Sequence, residues 1–333
     1  MSRASRDGVF DVLSVHYSNV RITIVNNIED LQALVSRKPD LVFLGMGYIP
    51  SDPDLGRDDP VKIWICDYLD QNGIAYTGSP KKARLLENNK PLAKQRVLDC
   101  GLNSSQFFVT KHNQPLLKND VSFPYPVFIK PANRGGGNGV DSLSVAHSFL
   151  EAERKVRIIN DSMRTNCLIE EYLPGREFSV AVLRNEATGH YDAMPIELVA
   201  QPDENGDRML SKDVKNSNSE VVSNVVDQNL KAKVSNLALN VFQALGARDY
   251  GRIDIRLDLD GQAFFLEANL TPSLIEGYGS FPKACLINNK TTFNDMILTI
   301  VRLGLARTPS EAMLPRFINV LSGNSLTPNM IEA

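Results

Sequence analysis

The stretch from residue 250 to 269 restricts the fold more than any other part of the chain. Two runs of strand-forming residues flank Asp260-Gly261, and a two-residue turn of that composition is a strong hairpin signal. Side chains alternate across a strand. Ile253, Ile255 and Leu257 are therefore expected on one face of the first strand, with Arg252, Asp254 and Arg256 on the other. On the second strand Phe264, Leu266 and Ala268 should share a face, opposite Phe265, Glu267 and Asn269. Paired antiparallel strands bring same-face side chains within a few ångströms, so Asp254, Glu267 and Asn269 form a candidate set of oxygen ligands. Hard oxygen donors suit Mg²⁺, which takes few protein ligands and completes its octahedron with water and phosphate oxygens. A wetted outer sheet face, with Arg252 as a surface ion-pair partner, accounts for the same pattern.

Upstream the chain alternates strand and helix signals. Residues 21–25 are short and β-branched, 29–37 carry helical spacing through Leu31, Leu34 and Val35, and 41–44 form a continuous apolar run of buried-strand length. Pro60 stands where a first helical residue is expected, before an apolar helix to Leu69, and 74–76 read as a further strand. Repeated strand–helix–strand units imply a parallel sheet covered by helices. In the middle, 126–130 read as a strand ending in Lys130, 149–159 as a helix, and 168–172 and 178–183 as strands about the turn Pro174-Gly175. Residues 201–219 are polar and long for a plain connection, which predicts a functional lid or a disordered loop. A helix striped by Leu230, Val234, Leu237, Val241 and Leu245 ends at Gly246, an amphipathic helix covers 291–307, and the tail beyond Thr308 is weakly patterned. The domains expected are 1–86, 87–176 and 177–310, followed by a tail at 311–333.

Lysine and arginine number 36 against 39 aspartates and glutamates, a net charge of −3. That balance gives no electrostatic case for nucleic-acid binding. The four cysteines, Cys66, Cys100, Cys167 and Cys285, form no Cys-x-x-Cys pair and suggest neither a zinc site nor a disulfide framework. The polar start and short apolar runs predict a soluble, cytoplasmic protein with no membrane partner.

Two further features carry potential chemistry. Gly135, Gly136, Gly137 and Gly139 surround Asn138, and such a loop lets backbone N–H groups wrap a polyphosphate, with Lys130 supplying a point charge. The loop fits neither the Walker pattern nor the dinucleotide fingerprint, and a flexible hairpin connection would look alike. Glu170, Glu171 and Glu177 place acids about a strand–turn–strand, where exposed backbone can read an adenine edge and a carboxylate can bind ribose; taken singly they read as surface residues. Lys212 and Lys215 in the polar loop read as solvated charges or as lid groups.

In order along the chain, these pieces resemble the ATP-grasp superfamily and, within it, its D-alanine–D-alanine ligase-like branch. The matching stretches are Asn89-Lys90 with Lys94, Val127-Phe128-Ile129-Lys130-Pro131, Ile169-Glu170-Glu171-Tyr172-Leu173-Pro174-Gly175-Arg176-Glu177-Phe178, Gly251-Arg252-Ile253-Asp254 and Phe265-Leu266-Glu267-Ala268-Asn269. The resemblance spans roughly residues 75 to 305.

It implies an α/β ATP-grasp fold of three α/β domains, with ATP held between the central and C-terminal ones. Lys90 and Lys130 would contact ATP phosphates, and Gly135, Gly136, Gly137, Asn138 and Gly139 would close over the γ-phosphate. Glu170, Glu171 and Leu173 would form the adenine hinge, with Glu177 at the ribose and Lys215 brought in by a mobile loop. Asp254, Glu267 and Asn269 would hold two Mg²⁺ ions, with Mn²⁺ as a substitute, and Arg252 would stabilise the tetrahedral intermediate. The implied reaction joins a carboxylate to an amine or amino acid through an acyl phosphate, in a protein that can form a homodimer. An ATP-grasp kinase acting on an alcohol, or a non-catalytic nucleotide binder, would keep the same fold. His16, His112, His147 and His190 lie outside every motif.

Several positions depart from the branch. Gly136 stands where a serine is usual, Asn216 where a tyrosine follows the loop lysine, and Ser273 where a glycine helps hold the oxyanion. The histidine–glycine run of the N-terminal domain is replaced near Leu44-Gly45-Met46-Gly47-Tyr48, and the glutamate that orients the first D-alanine has no counterpart in place. The nucleotide half matches and the amino-acid half does not. The expected acid substrate is larger than D-alanine or lacks its ammonium group, so the chain is not expected to be a housekeeping D-alanine–D-alanine ligase.

Overall fold

The computed structural model describes residues 1–52, 54–56, 59–210, 220–307 and 316–323. Among the described residues the strands form three larger sheets and one two-stranded sheet. The first holds β1 (Asn19–Ile24), which is half-buried to exposed, and β2 (Leu41–Leu44), which is fully buried, with α1 (Arg3–His16) and α2 (Ile28–Ser36) alongside. Ser2 and Asn27 cap these helices by accepting the amides of Ser5 and Asp30. Tyr76 adds a parallel bridge to Val42.

β1 and β2 are not neighbours. Between them, parallel to both, runs β14 (Phe317–Ser322), paired Asn19↔Phe317 through Ile24↔Ser322 on one side and Ile318↔Leu41 through Leu321↔Leu44 on the other. Ile318, Val320 and Leu321 are fully buried there. The expected 311–333 tail therefore supplies the middle strand of the first layer. Its short apolar run lacks any local partner in sequence, because both partners lie at the other end of the chain.

A second difference concerns Pro60. β3 (Tyr48–Pro50) and β4 (Lys62–Trp64) pair antiparallel, and α3 (Ile65–Gln71) begins only after Trp64. The cross-strand partner outweighs the helical start signal. The connection from there to the central layer is α4 (Lys81–Glu87) and α5 (Lys90–Asp99), the latter capped by Asn89.

The central sheet has the order β5 (Phe107–Val109), β8 (Cys167–Glu171), β6 (Val127–Pro131), β7 (Val145–Ala146), all antiparallel, covered by α6 (Phe149–Met163). The third sheet runs β11 (Val221–Asn224), β10 (Tyr191–Val199), β9 (Glu177–Arg184), β12 (Tyr250–Leu257), β13 (Ala263–Asn269). Helix α7 (Gln228–Ala244) packs on it through Val234, Ala238, Val241 and Phe242, and α8 (Ser280–Asn289) and α9 (Phe293–Leu305) join it to the first layer. Among the described residues no helix is long and apolar enough to cross a membrane.

The β12–β13 hairpin forms as expected, with one change that matters for chemistry. The register steps from Asp254↔Glu267 to Ile255↔Phe265, leaving Leu266 unpaired in a bulge. Phe265 thereby turns into the core, while Leu266 and Glu267 both face the cleft described next. Strict alternation put Leu266 with Ala268 and Phe265 with Glu267. A bulge re-aims side chains in this way, and nothing in the local composition announces it.

Candidate active site

A cleft of about 90 Å³ lies between the central and third sheets. Lys90, Lys130, Gly137, Asn138, Glu170, Glu171, Leu173, Glu177, Asp254 and Glu267 all line it, so ten residues expected from sequence converge on one space. Gly135 and Asn269 line an adjoining cavity. Gly136, Gly139 and Arg252 support the walls without facing either space, and Lys215 lies outside the described residues.

Lys130 is the penultimate residue of β6, which runs one residue past the expected end to Pro131, and Lys94 stands one helical turn after Lys90 on α5. Their ammonium groups grip opposite oxygens of one carboxylate. Lys130 Nζ lies 2.6 Å from Glu170 Oε2, and Lys94 Nζ 2.6 Å from Glu170 Oε1. Lys94 also donates to Ser105 Oγ, Ser104 Oγ and the Phe265 carbonyl, which ties the central sheet to β13. Burial pulls the Lys94 ammonium below the usual lysine range despite Glu170. At Lys130 burial pulls the same way, but Glu170 and Glu267 outweigh it and hold the group above that range. Burial would raise the Glu170 carboxyl, yet Lys130 and Lys94 keep it below the ordinary carboxylate range. The Glu170 side chain is thus engaged in orienting two lysines. Only the backbone of 170–173 is left to serve as the hinge that sequence assigned to it.

Lys90, at the first turn of α5, donates to the Arg134 carbonyl and lies 3.8 Å from Glu267 Oε2. It bridges the glycine loop and the third sheet. Within the loop Gly139 has φ 80°, and a Cβ there would sit 2.6 Å from Pro131 Cγ, so only glycine fits. Gly136 has φ 68°, which strains any other residue in its place, including the serine usual in this branch.

Across the cleft, Asp254 accepts from four donors. Ser179 Oγ and Arg252 Nε reach Oδ1, both at 2.9 Å, while Arg252 Nη2 and Asn269 Nδ2 reach Oδ2 at 2.9 and 3.1 Å. Glu267 is its cross-strand partner and Asn269 faces Arg252. Two carboxylates and an amide oxygen on neighbouring strands are the hard donors that Mg²⁺ takes. Among the described residues no cluster of three His, Cys, Asp or Glu exists, so an amide has to be the third ligand. For Asp254 to hold a cation, the bidentate Arg252 guanidinium must give up at least one oxygen.

Sequence reasoning gave no role in the site to three contributors. Lys94 enters the resemblance with Asn89-Lys90, and its i+4 spacing from Lys90 on α5 puts the two on one helix face. Arg256 shares the polar face of Arg252 and Asp254; it stacks on Tyr172 with its centre 5.0 Å from the ring and donates to the Arg208 carbonyl at 2.7 Å. Met209 is buried against Val145 and Tyr172. The first half of the expected lid is therefore anchored by an apolar side chain and by the Pro202↔Arg208 bridge, where the polar composition predicted no anchor. Residues 211–219, with Lys212 and Lys215, lie outside the described residues.

The D-alanine–D-alanine ligase from Bacillus anthracis in complex with ATP superposes with a TM-score of 0.64 at 17% identity, covering 86% of each chain. The VanG D-Ala:D-Ser ligase from Enterococcus faecalis gives 0.61 at 18%, covering 79% of this chain and 72% of its own. The fold is the ATP-grasp fold of these ligases. By sequence, a D-alanine–D-alanine ligase from Wolbachia pipientis is 26% identical over 86% of this chain and 84% of its own length. A protein of undefined role from Sinorhizobium fredii is 27% identical over 62% of this chain, which spans only 60% of that relative. Residues 98–302 match the profile of the D-ala D-ala ligase C-terminus, and the chain belongs to that family.

Proposed function

We propose that this protein is an ATP- and Mg²⁺-dependent carboxylate–amine ligase that works through an acyl phosphate, with an acid substrate other than D-alanine. The observation that carries this reading is the opposition of charges across one cleft, Lys90 and Lys130 on one wall and Asp254 and Glu267 on the other. Phosphoryl transfer asks a protein for positioning and charge neutralisation more than for a nucleophile, and no nucleophile stands among these groups. The substrate carboxylate attacks the γ-phosphorus of ATP and ADP leaves. The amine then attacks the acyl carbon of the mixed anhydride, and phosphate departs with its oxygen.

In this reading Lys90 and Lys130 hold the ATP phosphates, with Lys130 fixed by Glu170. The loop from Gly135 to Gly139 covers the γ-phosphate, the 170–173 backbone and Leu173 receive the adenine, and Glu177 binds the ribose. Lys215, outside the described residues, is assigned to the same phosphates. Asp254, Glu267 and Asn269 hold Mg²⁺, which when bound neutralises phosphate charge. Arg252, released from Asp254, turns to the oxyanion of the tetrahedral intermediate. Gly136 and Asn216 are each smaller than the serine and tyrosine usual in this branch, and Asn216 lies outside the described residues.

Trapping with hydroxylamine tests the central step. Hydroxamate should form with ATP, Mg²⁺ and a bulky carboxylate, and negligible phosphate should be released with D-alanine alone. ADP release without hydroxamate would point to a kinase or a simple ATPase, and robust D-alanyl-D-alanine synthesis would refute the substrate assignment.

A further inference from the structure

Arg256 stands two residues beyond Asp254 on β12, so it shares the cleft face of that strand. It is 5% exposed, and a guanidinium so deeply placed needs partners for its charge and for its N–H donors. They come from three separate stretches of chain. Nε donates to the Gly175 carbonyl at 3.2 Å, just past the 170–173 hinge. Nη2 donates to the Arg208 carbonyl at 2.7 Å and to Tyr172 Oη at 3.3 Å, and the guanidinium centre lies 5.0 Å from the Tyr172 ring. Nη1 reaches Oε2 of Glu177 at 3.4 Å, and Glu177 is the residue opposite Arg256 where β9 pairs with β12.

The groups behind Arg256 are themselves pinned. Gly175 packs directly on β12: its N–H donates to the Leu257 carbonyl at 3.0 Å, and a Cβ there would stand 2.5 Å from the same oxygen. The Arg208 N–H donates to Tyr172 Oη at 3.1 Å, and the next side chain, Met209, is buried against Tyr172 and Val145. These fixed partners leave the guanidinium one orientation, and Glu177 is aimed by a rigid neighbour. Lys130 and Arg252 also act on Glu177 electrostatically, but each lies against another carboxylate, Glu170 at 2.6 Å and Asp254 at 2.9 Å. A carboxylate offers about four acceptor sites, so a contact to Oε2 sets its plane without saturating it.

We propose that Arg256 is the positioning residue through which the cleft reads the sugar of its nucleotide: it sets the plane of the Glu177 carboxylate so that ribose hydroxyls can donate to it. The ribose at Glu177 rests on the ligase reading. The binding itself does not need turnover.

The full chain, with Mg²⁺, would be titrated by calorimetry with ADP, 2′-deoxy-ADP and 3′-deoxy-ADP. ADP should bind at least about tenfold more tightly than one or both deoxy nucleotides, as loss of a charge-assisted hydrogen bond implies. Arg256→Met should weaken ADP and bring that ratio to within about threefold of unity. A residue that served the fold alone would weaken all three nucleotides alike and leave the ratio where it was. The ratio is taken within one preparation, so a partly unfolded variant does not alter it. Should Arg256→Met not fold, Arg256→Gln, which keeps a donor for the backbone carbonyls, is read in the same way. Glu177→Gln should itself have a small ratio, and adding Arg256→Met should lower it no further, because the effect runs through that carboxylate. A parent that binds no ADP, a parent ratio near one, a ratio that survives the loss of Arg256, or a further fall in the Glu177→Gln background would each overturn the proposal. A ratio lost with Arg256 but no hydroxamate would sink the ligase reading alone; hydroxamate formation with a ratio indifferent to Arg256 would sink this inference alone.

Discussion

Replacing Glu170 by glutamine tests whether the two lysines depend on one buried carboxylate. The side chains involved are 0% (Lys94), 3% (Glu170) and 10% (Lys130) exposed, and both contacts are 2.6 Å. Glutamine keeps the shape but removes the charge, and whichever way its amide turns, an N–H group meets an ammonium. Breaking a buried ion pair by neutralising one partner costs about 3–5 kcal/mol, because the remaining charge is left uncompensated. Unfolding entropy near the melting temperature is about 2.1 cal/mol/K per residue, hence roughly 0.7 kcal/mol/K for 333 residues. The variant should therefore melt about 4–7 °C lower in a thermal scan. Adding Lys94→Met should recover part of the loss, since it removes one of the two stranded charges. A melting temperature within about 1 °C of the parent, or a further fall on adding Lys94→Met, would refute the account of Glu170 as the shared counter-ion.

The same carboxylate gives a pH signature. Lys130 and Lys94 hold its folded value below the unfolded one, so its stabilisation is present above about pH 4.3 and is lost as pH falls through the folded value. In urea titrations the gap between parent and Glu170→Gln should stay constant from neutral pH down to about 5 and close below about 4; a gap that opens in acid contradicts the sign. Glu267→Gln should leave the melting temperature nearly unchanged, because the residue is partly exposed, yet nearly abolish Mg²⁺-dependent ADP formation. Parental turnover would remove Glu267 from the metal set. Leu321→Ala, in the middle of the first layer, should destabilise by about 2–5 kcal/mol, and an effect under about 0.5 kcal/mol would deny β14 its place between β1 and β2.

Much of the site was legible because its parts are local. Leu41–Leu44 forms as a four-residue apolar run reads, and Lys130 stands one residue from the end of its strand, ahead of the glycine loop. The hairpin turn at Asp260-Gly261 sets Asp254 opposite Glu267. What escaped depends on partners distant in sequence. Arg84 and Glu87 look like the charged face of a short helix until the loop after Asn269 packs over them. Leu266 changes sides through a bulge, Met209 finds a hydrophobic seat that polar neighbours conceal, and the Glu170 carboxylate is claimed by lysines from two other elements.

The central position of β14 has a consequence for how the protein is made. Some 270 residues separate the end of β2 from the start of β14. At about 5–20 residues per second, the ribosome needs roughly 15–50 s to bridge that interval. Throughout it β1 and β2 cannot pair with each other in their final spacing, and each presents an open edge of the kind that recruits foreign strands. The nucleotide-binding layers, whose strands follow one another more closely in sequence, can fold during this wait. The first layer closes last, although it is synthesised first, so a stalled or clipped chain would carry a formed ATP cleft beside an unfinished, aggregation-prone sheet.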